Sequence, residues 1–171
     1  MASQLIHITL PDGTRKQVPT GCTVRDALTP QGGRLDGKIL AAKIDGVPMD
    51  LFHTLEHDAT VEPLTFESAE GREVYRHSST HIMAQAVKEV FPTAQLTIGP
   101  ALEDGFYYDF AFDRPFTPED LEKIEARAIE ITKRGLSVSR SELSKEEAIK
   151  FFQDRGEAYK VELINSFEDG S

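Results

Sequence analysis

Two histidines in the segment RHSSTHIMAQ, residues 76–85, are spaced as neighbours on a helix. His77 and His81 are four residues apart, so on an α-helix both imidazoles leave the same face about one turn apart. Two such rings can hold a metal ion together, or they can bind a small polar group and transfer a proton. A catalytic zinc takes three protein ligands, and no Glu follows His77 as it does in the zinc-protease motif H-E-x-x-H. The spacing leaves open a catalytic site, a metal site and two ordinary polar residues.

Lys160 is the second candidate. The segment AYKVEL, residues 158–163, alternates like a strand, which predicts that Lys160 points away from Tyr159 and Val161. Such a lysine is either an ordinary surface residue or, if it faces the histidine helix, an ammonium group with a chemical role. In that second case it can hold a phosphate or stabilise the negative charge that develops when an ester is hydrolysed.

The composition narrows the class of protein. The chain has 171 residues, 39% of them hydrophobic, and a net charge of -10, which indicates a folded protein without the basic excess typical of a strong nucleic-acid binder. No run of about 18 apolar residues and no signal sequence occur, so we expect a cytoplasmic protein with no membrane partner. The single cysteine, Cys22, excludes an intrachain disulfide and is interpreted as a buried, inert thiol.

The first part of the chain, residues 1–64, has the pattern of a small β-grasp module. A strand in QLIHITL is followed by the turn PDGT and a returning strand in RKQVP. A short helix begins at Thr23, an N-cap residue, and further strands lie on both sides of the hairpin turn at Asp45 and Gly46 and in ATVEPLTF. Strands and one helix in this order favour a ubiquitin-like β-grasp fold.

The second part, residues 65–171, is predicted to be α+β. The helix with the histidine pair ends at residues 91–92, and a strand, turn and strand follow within QLTIGPALEDGFYYDFAF. A helix capped by Thr117 and a helix opened by Ser144 come next. Strands are predicted in LSVSRSEL and EAYKVELI, and the chain then ends in NSFEDGS as if cut short.

These segments together resemble one known family. HITLPDGTRKQVP followed by TVRDAL resembles the TGS domain, a β-grasp module of threonyl-tRNA synthetases and of some GTPases and alarmone enzymes. YRHSSTHIMAQAVKEVFP, TIGPALEDGFYYDF and RGEAYKVELI resemble, in the same order, the editing domain of bacterial threonyl-tRNA synthetases. The resemblance covers essentially the whole chain. It implies a TGS domain at 1–64 and an editing domain of the threonyl/alanyl-tRNA synthetase type at 65–171, truncated at its C-terminal end.

The resemblance also implies roles for the candidate residues. His77 and His81 correspond to the editing-site histidines of the family, and Lys160 to the lysine near the misacylated end of the tRNA. The implied reaction is hydrolysis of serine from the tRNA of threonine, with water as nucleophile. The family completes this site with a cysteine and a histidine from a later segment. Zinc held by His77 and His81 and a metal-free site that uses hydrogen bonds and proton transfer remain alternatives.

The resemblance further implies what this chain lacks. The aminoacylation core, with its ATP, Mg²⁺ and zinc sites, and the anticodon-binding domain belong to the full-length enzyme, which is a homodimer. We therefore expect that this chain does not charge tRNA and is not fully active in editing. The implied partners are the tRNA of threonine and its serine-charged 3′ end.

Two rival hypotheses remain at this point. The chain could be a non-catalytic module that binds tRNA or a protein through its TGS surface and keeps the histidines only for packing. It could instead be a self-contained metal hydrolase that uses His77, His81 and a carboxylate such as Asp104 or Asp109. Glu103 and Asp104, beside Gly105, are otherwise interpreted as turn formers.

Overall fold

A computed structural model describes residues 4–136, 138 and 141–167. The chain divides into two compact units, Met1–Tyr75 and Arg76–Ser171. The division into domains at residues 64 and 65 stays a prediction. No helix of the described residues is long and apolar enough to cross a membrane.

The first unit contains a five-stranded mixed sheet. Its strands are β1 (Leu5–Thr9), β2 (Arg15–Pro19), β4 (Ile39–Ile44), β5 (Val47–Met49) and β7 (Ala59–Thr65). The order across the sheet is β2-β1-β7-β4-β5, and β1 runs parallel to β7 at its centre, with Ile8 opposite Ala59. A short pair is formed by β3 (Cys22–Thr23) and β6 (Thr54–Leu55), and α1 (Val24–Leu28) follows β3 directly. This is the predicted β-grasp arrangement.

Local chemistry explains these elements. Thr23 caps α1 by accepting a hydrogen bond from the Asp26 backbone N–H, as Thr does at helix N-termini. Asp45 and Gly46 both have positive φ, 49° and 85°, which the tight turn between β4 and β5 requires. Asp45 also accepts a 2.7 Å hydrogen bond from the backbone N–H of Thr60. Burial of the apolar side of the sheet stabilises the unit, and the fully buried side chains are Ile8, Val24, Val61 and Leu64.

The second unit combines helices with two short antiparallel pairs of strands. The long helix α2 (Ala69–Val90) begins in the first unit and continues into the second. The strand pairs are β8 (Gln95–Leu96) with β11 (Phe110–Ala111) and β9 (Ala101–Leu102) with β10 (Gly105–Phe106). The remaining helices are α3 (Pro118–Arg134), α4 (Lys145–Gln153) and α5 (Ala158–Ser166).

The predicted helix starts are confirmed. Thr117 and Ser144 both form capping boxes, with Asp120 and Glu147 respectively, so each helix begins with satisfied backbone donors. An apolar core lies between α2, α3 and the aromatic strand β11, and its buried members are Ala86, Val87, Ala94, Ile124 and Ile131.

One strand prediction is wrong, and another lies partly outside the described residues. EAYKVELI contains the helix α5 (Ala158–Ser166) and not a strand, so Lys160 is a helical residue. Its apolar residues alternate, but they also fit helical spacing, and α5 packs against the neighbouring helix α4 and contacts β8. For LSVSRSEL, the described residues 136, 138 and 141–143 lie in no strand, and residues 137, 139 and 140 are outside the described part of the chain.

Candidate functional site

The two histidines of α2 contact each other directly. Nε2 of His77 and Nε2 of His81 are 2.9 Å apart, and the ring centroids are 4.7 Å apart. At this distance one ring donates its N–H and the other accepts with its lone pair. The helical spacing predicted from the sequence is therefore correct, and the rings form one hydrogen-bonded pair.

The helix α2 presents this pair at the surface because its other side is anchored. His77 and His81 are exposed, whereas Thr80, Ala84 and Val87 are buried. The Thr80 hydroxyl donates a 2.7 Å hydrogen bond to the His77 carbonyl, so a polar group on the buried side is satisfied within the helix. The buried side fixes the rotation of α2 and thereby the direction of the histidine pair.

The surroundings of His81 favour its neutral form. Partial burial lowers the pKa of His81 below its ordinary value, and the charges of His77 and Lys160 lower it further. All three causes disfavour an imidazolium ion. His81 is thus available near neutral pH as a hydrogen-bond acceptor or a base.

Lys160 lies close to the pair from a second helix. Its ammonium group donates a 3.2 Å hydrogen bond to the backbone carbonyl of Thr97, in the segment after β8. Lys160 is half-buried, and its charge acts on His81. The structure therefore places His77 and His81 in contact and places Lys160 where its charge acts on His81, although Lys160 belongs to α5 and not to a strand.

A buried ion pair next to this site was not found by sequence reasoning. Nζ of Lys88, on α2, is 3.0 Å from Oε1 of Glu157, directly before α5. The exposed fractions of the two side chains are 27% and 11%. Sequence spacing gave one signal: Lys88 follows His81 by seven residues, which places both on the same side of a helix.

Tyr108 packs against the same region. Its ring stacks on Phe110 with centroids 4.7 Å apart and covers Gly99 so closely that a Cβ atom there would lie 2.1 Å from the ring. Burial raises the pKa of Tyr108, and the charge of Glu157 raises it further. The phenol therefore stays protonated at neutral pH and remains a hydrogen-bond donor.

The donor set does not by itself fit zinc. Structural zinc takes four ligands and catalytic zinc three protein ligands. Within residues 4–136, 138 and 141–167, no group of three or more His, Cys, Asp and Glu side chains is placed to hold a metal ion. The self-contained hydrolase hypothesis therefore lacks its third ligand, Asp104 or Asp109, in this part of the chain. Zinc at His77 and His81 stays a prediction that needs ligands beyond the described residues.

The other residues singled out from the sequence are not part of this site. Glu103 and Asp104 lie in the turn between β9 and β10, as predicted. Cys22 is half-buried in β3. Burial raises the pKa of its thiol, and the charge of Asp26 raises it further. A thiol with a raised pKa is a poor nucleophile, which agrees with an inert cysteine.

Comparison with known proteins gives the family context. Residues 6–65 match the family model of the TGS domain. The chain is similar to the threonine–tRNA ligase of Symbiobacterium thermophilum, with 52% identity over 167 residues that cover 98% of this chain and 26% of that protein. It is 50% identical over 160 residues to the threonine–tRNA ligase of Pelobacter propionicus, covering 94% of this chain and 25% of the relative. The chain thus spans about a quarter of the length of the curated relatives it matches.

Proposed function

Because this chain is homologous to the N-terminal region of threonine–tRNA ligases and carries a TGS domain at residues 6–65, we propose that it contributes tRNA binding and proofreading to such an enzyme. The proposed reaction is hydrolysis of the ester that joins serine to the tRNA of threonine. The observation that carries this proposal is the hydrogen-bonded pair of His77 and His81 with the Lys160 ammonium beside it.

The arrangement supplies part of the set of groups that ester hydrolysis needs. A water molecule attacks the carbonyl carbon of the ester, and neutral His81 accepts the proton that this water loses. In this role His81 donates its Nε2–H to His77 and takes the water proton at Nδ1. The hydrogen bond between the two rings fixes their orientation and spreads the positive charge that His81 gains. The ester C–O bond then breaks, the ribose oxygen takes the proton, and free serine and tRNA are released.

Lys160 has an electrostatic role in this proposal. Negative charge develops on the ester carbonyl oxygen when water adds to it, and a nearby ammonium group stabilises that charge. The same group can bind a phosphate at the 3′ end of the tRNA. The hydrogen bond from the Lys160 ammonium to the Thr97 carbonyl holds the Lys160 side chain in place. Little conformational entropy of this side chain is therefore lost when a substrate binds.

A proofreading site has a physical purpose in this family of enzymes. Serine and threonine differ by one methyl group, and a difference of this size gives a binding pocket only about 10-fold to 200-fold discrimination. A second site that hydrolyses the wrong product removes the remaining errors. The partner is then the serine-charged 3′ end of the tRNA, which is bound locally despite the net charge of -10.

The 171-residue chain alone is expected to hydrolyse little or no seryl-tRNA. Two imidazoles and an ammonium group are the catalytic groups that the described residues bring together, and the family resemblance places further groups in a later segment. A longer form of the chain that continues past residue 171 is expected to hydrolyse serine, and not threonine, from the tRNA of threonine.

The experiment compares release of radiolabelled serine and threonine from the tRNA of threonine. The proteins are the 171-residue chain, the longer form, and the longer form with His77→Ala, His81→Ala or Lys160→Met. The matched control is Ser78→Ala, an exposed residue of the same helix. We expect serine-selective hydrolysis by the longer form and its control, and a loss of about 100-fold or more in the His variants.

Other outcomes decide between the hypotheses. Full activity of the longer form with both histidines replaced would reject the proposed site. Unchanged tRNA binding in the His77→Ala variant, together with loss of binding after changes on the TGS surface and no hydrolysis by any form, would favour the non-catalytic binding module. Serine-selective hydrolysis by the 171-residue chain would show that its own residues complete the site.

A further inference from the structure

The ion pair of Lys88 and Glu157 joins the two helices that carry the proposed site. Lys88 lies on α2, and Glu157 is the residue before the first residue of α5. The Lys88 ammonium also donates hydrogen bonds to the carbonyls of Pro92, at 3.2 Å, and Ala94, at 3.1 Å. Its three donors are therefore all used, and Lys88 is held in one position.

Glu157 occupies the N-cap position of α5 but does not use its side chain as a cap. Its side chain makes no capping hydrogen bond to α5 and reaches Lys88 instead. Its backbone carbonyl accepts hydrogen bonds from the N–H groups of Lys160, at 3.1 Å, and Val161, at 3.2 Å. The first turn of α5, which carries Lys160, therefore rests on the residue that Lys88 holds.

The residues of α5 are less buried than Glu157, which precedes the helix. None of its residues is fully buried, whereas Glu157 is 8% exposed. The Glu157 oxygen Oε2 is buried and has no hydrogen-bond partner among the described residues. A buried charge with an unsatisfied oxygen is costly, and replacing such an ion pair by apolar residues is often neutral or stabilising. Stability is therefore a weak reason for this ion pair, and fixing an orientation is a stronger one.

The two helices are connected at two positions along their lengths. Lys88 follows His81 by seven residues, or about two turns of α2, and Lys160 follows Glu157 by three residues, or about one turn of α5. Glu157 forms an ion pair with Lys88, and the charge of Lys160 acts on His81. Fixing one contact thus limits where the other can lie.

We propose that Glu157 is a positioning residue: its ion pair with Lys88 fixes the first turn of α5 and thereby places the Lys160 ammonium beside the histidine pair. This inference rests on the proposed function, in which that ammonium stabilises negative charge on the ester. Glu157 and Lys88 touch no substrate in this proposal, and both act through Lys160.

The test follows the position of Lys160 without using activity. The Cε1–Hε1 signal of His81 in the 171-residue chain is recorded by NMR at pH 8, after assignment with His81→Asn. Lys160→Met gives the displacement caused by removing the ammonium. We expect Glu157→Gln to displace the signal in the same direction by most of that amount. In the double variant Glu157→Gln/Lys160→Met, the signal should match that of Lys160→Met alone.

Two further variants keep the test decisive. Glu162→Gln removes an exposed carboxylate of the same helix and should leave the signal in place. Lys88→Met breaks the same ion pair from α2 and should displace the signal in the same direction, so the test does not depend on how well Glu157→Gln folds. A His81 signal unmoved in folded Glu157→Gln, or additive displacements in the double variant, would overturn the proposal.

Hydrolysis by the longer form separates this inference from the proposed function. If Lys160 is misplaced, seryl-tRNA hydrolysis should fall about 10-fold to 100-fold in Glu157→Gln and in Lys88→Met. If the NMR displacements occur and no form hydrolyses seryl-tRNA, the positioning role stands and the proposed function fails. If hydrolysis is present and unaffected by Glu157→Gln, the positioning role fails and the proposed function stands.

Discussion

His77 and His81 share a single hydrogen bond between their Nε2 atoms, which are 2.9 Å apart. One nitrogen must carry the proton and the other must be without it. If both rings are protonated, two N–H donors face each other and the hydrogen bond is lost. The geometry therefore ties the arrangement of the site to the protonation of the pair.

This relationship predicts how stability depends on pH. The pKa of His81 is lowered from 6.5, first by burial and then by the charges of His77 and Lys160. The unfolded chain therefore binds a proton at higher pH than the folded chain, so the free energy of unfolding falls as the pH decreases below about 6.5. Below the pKa of the folded state, this contribution no longer changes. In His81→Asn, this part of the dependence should be absent.

Urea unfolding followed by circular dichroism at several pH values between about 5 and 8 measures the effect. The matched control is His57→Asn, because His57 is exposed and lies in the first unit. We expect the control to keep the wild-type slope. A slope in His81→Asn that equals that of the wild type would mean that His81 titrates equally in the folded and unfolded states.

Asp120 predicts a separate dependence at acidic pH. Its carboxylate is buried, accepts hydrogen bonds from Arg114 at 2.5 and 3.3 Å, and accepts one from the Thr117 backbone at 3.0 Å. These contacts, led by Arg114, hold the pKa of Asp120 far below its usual value of 3.8. The Asp120 carboxylate contributes its full stabilisation above its usual pKa of 3.8. This contribution is lost as the pH falls from there through the lowered pKa of the folded state. Asp120→Asn should be less stable at pH 7 and lose less stability on acidification.

Asp113→Asn is the control for this prediction. Asp113 is exposed and lies in the same segment before α3, so its replacement should change thermal unfolding little at either pH. Melting temperatures at about pH 7 and pH 3 provide the comparison. The interpretation fails if Asp120→Asn and Asp113→Asn lose equal stability between these two conditions.

Gly71 predicts an unusual response to alanine. Alanine in a helix is ordinarily more stable than glycine by about 1 kcal/mol. Here a Cβ atom at position 71 would lie 1.8 Å from the backbone carbonyl oxygen of Thr65, which cannot move without disturbing the end of β7. Gly71→Ala should therefore lower the free energy of unfolding by about 1–3 kcal/mol.

Equilibrium urea unfolding of Gly71→Ala, compared with Gly37→Ala, checks this expectation. A Cβ atom at Gly37 meets nothing within 4 Å, so that substitution should be nearly neutral. A Gly71→Ala variant as stable as the wild type would show that α2 shifts freely away from Thr65.

Local sequence signals were sufficient for much of the fold. Thr23, Thr117 and Ser144 were predicted as cap residues and cap helices as expected. Asp45 and Gly46 were predicted as a hairpin turn and form one. Each of these features depends on residues only a few positions apart, so the sequence alone contains the needed information.

Features that depend on distant residues were not predictable. The strand predicted around Lys160 is wrong because a short apolar run fits either a strand or a helix. The packing of this segment against α4 decides between the two. The ion pair of Lys88 and Glu157 joins residues 69 positions apart, so the local spacing of His81 and Lys88 indicates a side of the helix but not the partner of Lys88. The histidine pair was found because four residues on one helix are a local spacing.

The parallel pairing of β1 with β7 also affects the order in which this protein can fold. The two central strands of the first sheet lie at opposite ends of the module, with Ile8 opposite Ala59 and Thr9 opposite Thr60. During synthesis, the hairpin of β1 and β2 leaves the ribosome long before β7 is made. Contacts between such distant segments form slowly. The edge of β1 that pairs with β7 therefore stays unpaired until translation has passed β7, and an unpaired strand edge can pair with another chain.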